Sequence, residues 1–126
     1  MTPGARIQAS IELFGSILES WRGEKRIPAD KLIDNYFKAR RFIGSKDRAA
    51  IGELTYWCLR HKALLEWQVA RAGGDHHARA LVLAALCLRG EHTLAEIQAV
   101  TQDSQYSLPK LSAPEAARWE KLYCHP

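Results

Sequence analysis

The residues with the clearest chemical capacity are Arg40-Arg41-Phe42-Ile43-Gly44-Ser45-Lys46-Asp47-Arg48. Arginine and lysine side chains donate hydrogen bonds and positive charge to phosphate oxygens. The apolar period that follows, through Ile51, Leu54 and Cys58, predicts that a helix starts here. The start of a helix adds free backbone N–H groups and the positive end of its dipole. Arg6, Lys38, Arg40, Arg41, Lys46 and Arg48 are therefore the expected phosphate-binding set. Asp47 opposes an anion locally, although an acid in the first turn also stabilises the helix. A solvated helix face would show the same charges, so composition alone leaves that alternative standing.

Other chemistry is sparse. Cys58 and His61 stand three apart on the same expected helix and could share a face. That spacing fits a nucleophile–base pair, and equally a packed thiol beside a hydrogen-bonded imidazole, which is the expectation here. His76 and His77 are adjacent, so their side chains diverge, and no metal site is expected. Gly44-Ser45-Lys46 has the residue types of a phosphate loop without its G-x-x-x-x-G-K-[ST] order. No G-x-G-x-x-G turn sits between a strand and a helix, so no nucleotide cofactor is expected in this chain. No catalytic residue is assigned. Trp21, Trp57, Trp67 and Trp119 are expected in the core, Trp67 having the least reason to be there.

Length and charge bound these readings. The chain of 126 residues fits one domain, 1–126, with 47% hydrophobic and 25% charged residues. Its net charge is +4, unevenly spread. Between Arg22 and Lys62 there are eleven Lys and Arg against five Asp and Glu, a local excess of six, while the rest carries seven against nine. Three cysteines, Cys58, Cys87 and Cys124, without C-x-x-C spacing, suggest neither a disulfide framework nor a zinc knuckle. A reducing, cytoplasmic setting follows as the simple expectation. The start lacks the apolar core of a signal peptide, and the longest apolar run, Ala80 to Leu88, is too short to span a bilayer.

Helical periodicity must position the basic set. Ile7, Ile11, Phe14, Leu18 and Trp21 form one stripe on a first helix, with Thr2 as its cap and Pro3 at its first position. Arg22 to Pro28 reads as a loop. Asp30 can cap a second helix with Leu32, Ile33, Tyr36 and Phe37 inward. Ser45 can cap a third that could run to Ala72, before Gly73-Gly74. Asp75 can cap a fourth, whose Ala80–Leu88 run, apolar on nearly every side, is expected at the centre. Thr93-Leu94-Ala95-Glu96 and Ser112-Ala113-Pro114-Glu115 match capping boxes for a fifth and a short last helix. Thr101 to Lys110 reads as a loop. The expected architecture is all-α, a bundle of about six helices around the central apolar one.

Gly44-Ser45-Lys46-Asp47-Arg48-Ala49-Ala50-Ile51-Gly52-Glu53-Leu54-Thr55-Tyr56-Trp57-Cys58-Leu59-Arg60 resembles the Asp-Arg…Glu-Leu-x-Tyr…Leu-Arg signature of the NusB-like domain. That domain begins ribosomal RNA 5-methylcytosine methyltransferases of the RsmB (Sun/Fmu) family. The opening Pro3 to Phe14 and the closing Leu111 to Glu115 resemble its first helix and its final section. Trp57 departs from the family, where glycine often follows the tyrosine, and Arg6 stands almost alone where free-standing NusB has an arginine cluster. The resemblance implies a NusB-like bundle that binds ribosomal RNA and serves a C-terminal methyltransferase domain. That domain would use S-adenosylmethionine and lies outside this sequence, which then reads as an N-terminal piece. Two alternatives stay open: a helical module that docks the enzyme domain or a ribosomal protein, and a stand-alone NusB-type antitermination factor.

Overall fold

In the computed structural model, which describes residues 1–101 and 107–123, seven helices follow one another. They are α1 (Pro3–Arg22), α2 (Ala29–Ala39), α3 (Ser45–Arg60), α4 (Lys62–Arg71), α5 (Ala78–Leu88), α6 (Leu94–Val100) and α7 (Ala113–Tyr123). The protein is all-α, with no strand among the described residues.

Several helix starts form as the sequence patterns require. Thr2 accepts a hydrogen bond from the Ala5 amide, with Pro3 at the first helical position. Thr93 and Glu96 close a reciprocal capping box on α6. Ser112 and Glu115 do the same at α7. Other starts differ. Pro28 occupies the cap position of α2, and Asp30 instead accepts a hydrogen bond from the Tyr56 hydroxyl of α3. Gly44, not Ser45, precedes α3, with no side-chain cap. His77, not Asp75, caps α5, its Nδ1 accepting from the Ala80 amide at 3.2 Å.

The helix expected from Ser45 to Ala72 is two helices. His61 adopts φ −113° and ψ 20°, which breaks the helical path between α3 and α4. Its imidazole Nδ1 lies 2.9 Å from the Trp57 carbonyl, and its ring stacks on Trp57 with centroids 4.0 Å apart. This change of direction lets α4 pack against α5 and α7. Gly73, at φ +87°, follows α4 in the left-handed conformation that glycine adopts without steric cost.

Two apolar clusters hold the helices. Ile7, Ile11, Phe14 and Leu18 of α1 join Leu65 and Val69 of α4, residues 81–87 of α5, Ile97, Leu108, and Trp119 and Leu122 of α7. The other face of α1, through Ala9, Leu13 and Ile17, meets Ile33 of α2, Ile51 of α3 and Ile43 of the corner between them. Thus α1 carries two buried faces, while every residue of α5 from Leu81 to Cys87 is buried. Of the four tryptophans, Trp119 is buried, Trp21 and Trp57 are half-buried, and Trp67 is 56% exposed. Among the described residues no helix is long and apolar enough to cross a membrane. Half of the expected loop from Thr101 to Lys110 lies outside the described residues.

Candidate nucleic-acid interface

The corner between α2 and α3 is anchored from inside. Ile43, 2% exposed, sits in the smaller cluster. Burying such a side chain contributes about 1.5–3 kcal/mol. The Ile43 amide donates to the Arg40 carbonyl at 3.1 Å, which closes the turn. The Ile43 carbonyl accepts from Arg48 Nε at 2.7 Å. A short loop is thereby held at its centre by one apolar and two polar contacts.

The six expected phosphate ligands divide into two groups. Four are engaged within the molecule. Arg6 Nε donates to Asp47 Oδ1 at 2.6 Å, tying the first turn of α1 to the first turn of α3. The terminal amine of Met1 lies 3.5 Å from the other oxygen of that carboxylate. The Arg6 hydrogen bond holds the Asp47 carboxyl below its usual pKa. Lys38 pairs with Asp34 at 2.8 Å along α2, and this contact raises the pKa of the ammonium. The Arg40 guanidinium lies 3.8 Å from the centre of the Tyr36 ring and donates to the Tyr36 carbonyl. Burial first, then the Glu12 carboxylate, pushes the Tyr36 hydroxyl up to about 12, with Arg40 pulling the other way. Arg48, besides its bond to Ile43, lies 5.7 Å from the Phe37 ring centre.

Arg41 and Lys46 form the second group. Both are exposed, and neither has an ion-pair or hydrogen-bond partner among the described residues. They bracket the uncapped start of α3. Between Arg41 and Ile43 stands Phe42, 79% exposed, the most exposed large apolar side chain among the described residues. Sequence reasoning passed over Phe42. The available signal was its place beside an isoleucine that must turn inward, which sends its neighbour outward.

The arrangement can neutralise an anion and offer it an aromatic face. The cysteine thiols among the described residues lie away from it, in the core. Cys58 is fully buried, and burial pushes its thiol up to about 12, Arg89 opposing weakly. His61 faces Trp57 rather than acting as a base on Cys58. Cys87 is likewise pushed by burial, to about 11, and Cys124 lies outside the described residues. His76 pairs with Glu66 at 3.2 Å, while His77 serves as a cap, so the two histidines do not converge. Among the described residues there is no group of three or more His, Cys, Asp or Glu that could hold a metal ion.

A second basic surface lines a cleft between α1 and α4, with Trp21, Arg22, Arg26, Lys62, Glu66 and His76. Part of its charge is engaged from within. Glu66 takes Lys62 at 2.6 Å as well as His76, and Arg26 lies over the Trp21 ring at 5.2 Å. At the α2–α3 corner Arg41 and Lys46 are exposed and unpaired among the described residues, in the stretch that holds the excess positive charge.

No family model, curated protein or solved structure matches the chain. The functional reading therefore rests on the corner itself and on the sequence pattern around it.

Proposed function

We propose that this chain is an RNA-binding helical domain of NusB-like type, which positions ribosomal RNA for an attached S-adenosylmethionine-dependent cytosine methyltransferase domain in the cytoplasm. One observation carries the RNA reading: Arg41 and Lys46 stand exposed and unopposed on a braced corner, within the stretch that holds the chain's excess positive charge. Phosphate contacts of this kind fix the register of a nucleic acid without reading its bases. The domain therefore supplies affinity and orientation, and sequence selection falls to the enzyme domain. The methyltransferase part of the proposal is supported by the resemblance of residues 44–60 to the family signature.

The test is the salt dependence of binding to a fluorescent single-stranded ribosomal RNA oligonucleotide. Each phosphate neutralised on a single strand contributes about 0.7 to the slope of log K against log salt. The paired replacement Arg41→Ala and Lys46→Ala is expected to remove most of the slope. A slope that survives it unchanged refutes the assignment.

A second reading has its own observation. Leu64 and Trp67 on α4 are 44% and 56% exposed, with Arg71 5.0 Å from the Trp67 ring centre one turn further on. An apolar, aromatic surface with an arginine suits a protein partner such as the enzyme domain or a ribosomal protein. Loss of that partner on Trp67→Ala, with RNA binding intact, would assign docking to α4.

A further inference from the structure

We infer that Phe42 is a stacking platform for an unpaired base, so that the ligand of the α2–α3 corner is single-stranded rather than duplex nucleic acid. The inference rests on the RNA-binding reading above and sharpens it. The exposed phenylalanine makes no ring or cation–π contact among the described residues: it is 79% exposed, while Ile43 beside it is 2% exposed. The backbone that carries the ring is also braced. Ile43 is held by burial, by its own amide on the Arg40 carbonyl and by Arg48 on its carbonyl. Arg40 is itself fixed on Tyr36. A side chain presented from a restrained backbone loses little freedom on binding, which favours contact.

The flanking charges select the occupant. Arg41 precedes the ring directly, and Lys46 follows it on the first turn of α3, both unopposed. A planar apolar face flanked along the chain by two cations matches a nucleotide, whose base stacks while the adjoining phosphates are neutralised. A duplex offers its phosphates but keeps its bases stacked on one another, so Phe42 would gain nothing from it. An apolar protein pocket could accept the ring but would leave Arg41 and Lys46 to be matched by acids. That charge arrangement favours nucleic acid.

The experiment compares the 126-residue chain with Phe42→Ala, Phe42→Leu and Phe42→Trp. Each is titrated against a 12-nucleotide single-stranded RNA and against its duplex by fluorescence anisotropy. Phe42→Ala is expected to weaken single-strand binding about 5- to 150-fold, with the salt slope unchanged, and to leave duplex binding as it was. Phe42→Leu is expected to be nearly as weak, because it keeps apolar area and loses the π face. Phe42→Trp is expected to restore binding. If Phe42→Ala or Phe42→Leu binds the single strand like the parent, the stacking inference is overturned, while a slope carried by Arg41 and Lys46 would still uphold the RNA reading. The first of those results is also the one expected if Phe42 serves a protein partner. If the parent binds no RNA, both fall together.

Discussion

Asp47→Asn is expected to lower stability and raise RNA affinity at once. The carboxylate accepts Arg6 at 2.6 Å and lies 3.5 Å from the terminal amine, so it joins the start of α1 to the start of α3. Asparagine keeps the shape and removes the charge. The melting temperature should fall, because two cations lose their counterion. The same change frees Arg6 beside the corner and removes the one acid in the first turn of α3. The size of the gain follows from the division of the basic set. Six phosphate contacts would give a salt slope of about 4, at about 0.7 each on a single strand. With only Arg41 and Lys46 unopposed, the expected slope is about 1.4. Releasing Arg6 should raise it to about 2.1. The assay is anisotropy of a labelled single-stranded RNA from 50 to 300 mM salt, beside a thermal melt of the same samples. A variant that melts lower and binds more weakly, or one with an unchanged slope, would show that the bound strand does not pass the Arg6–Asp47 pair.

Further expectations concern the fold beneath the site. In a Cys124→Ser background, Cys58 and Cys87 should resist a thiol reagent at pH 8 until the protein unfolds, since burial raises both thiols to about 12 and 11; rapid labelling of the native state would contradict this. Gly52 lies inside α3 with nothing within 4 Å of an added Cβ, so Gly52→Ala should stabilise by about 0.5–1 kcal/mol in denaturant melts. Burial pushes the Glu115 carboxyl up, but the hydrogen bonds from Arg79 and Ser112 outweigh it and the net pKa is lowered. Its contribution is therefore present above the ordinary value of 4.5 and lost as pH falls through the lower folded value. The stability difference between the parent and Glu115→Gln should accordingly shrink below pH 4.5, and a difference that stays constant to pH 3 would contradict the assigned pairing.

The helical class was legible because apolar spacing and short-range caps are local. The stripe from Ile7 to Leu18 is buried, and both capping boxes formed from residues three apart. The break at His61 was not legible. Histidine is no helix breaker, and the kink depends on its ring meeting Trp57 and on where α5 and α7 lie. The caps Pro28 and His77 were hidden by acids close by that match the usual cap pattern better. At the site, residue type identified six cations but could not say which were free. Arg6 and Asp47 are 41 positions apart, and only the packing of α1 on α3 brings them together. The exposure of Phe42 likewise depends on Ile43 reaching the smaller cluster.

The most direct test of the central claim is an amide chemical-shift map of the chain, recorded while a single-stranded ribosomal RNA oligonucleotide is added at low salt. The account expects the changes to centre on Arg40 to Arg48 and on the first turn of α1, with Leu64, Trp67 and Arg71 unmoved. Changes centred on α4, or none anywhere, would contradict it.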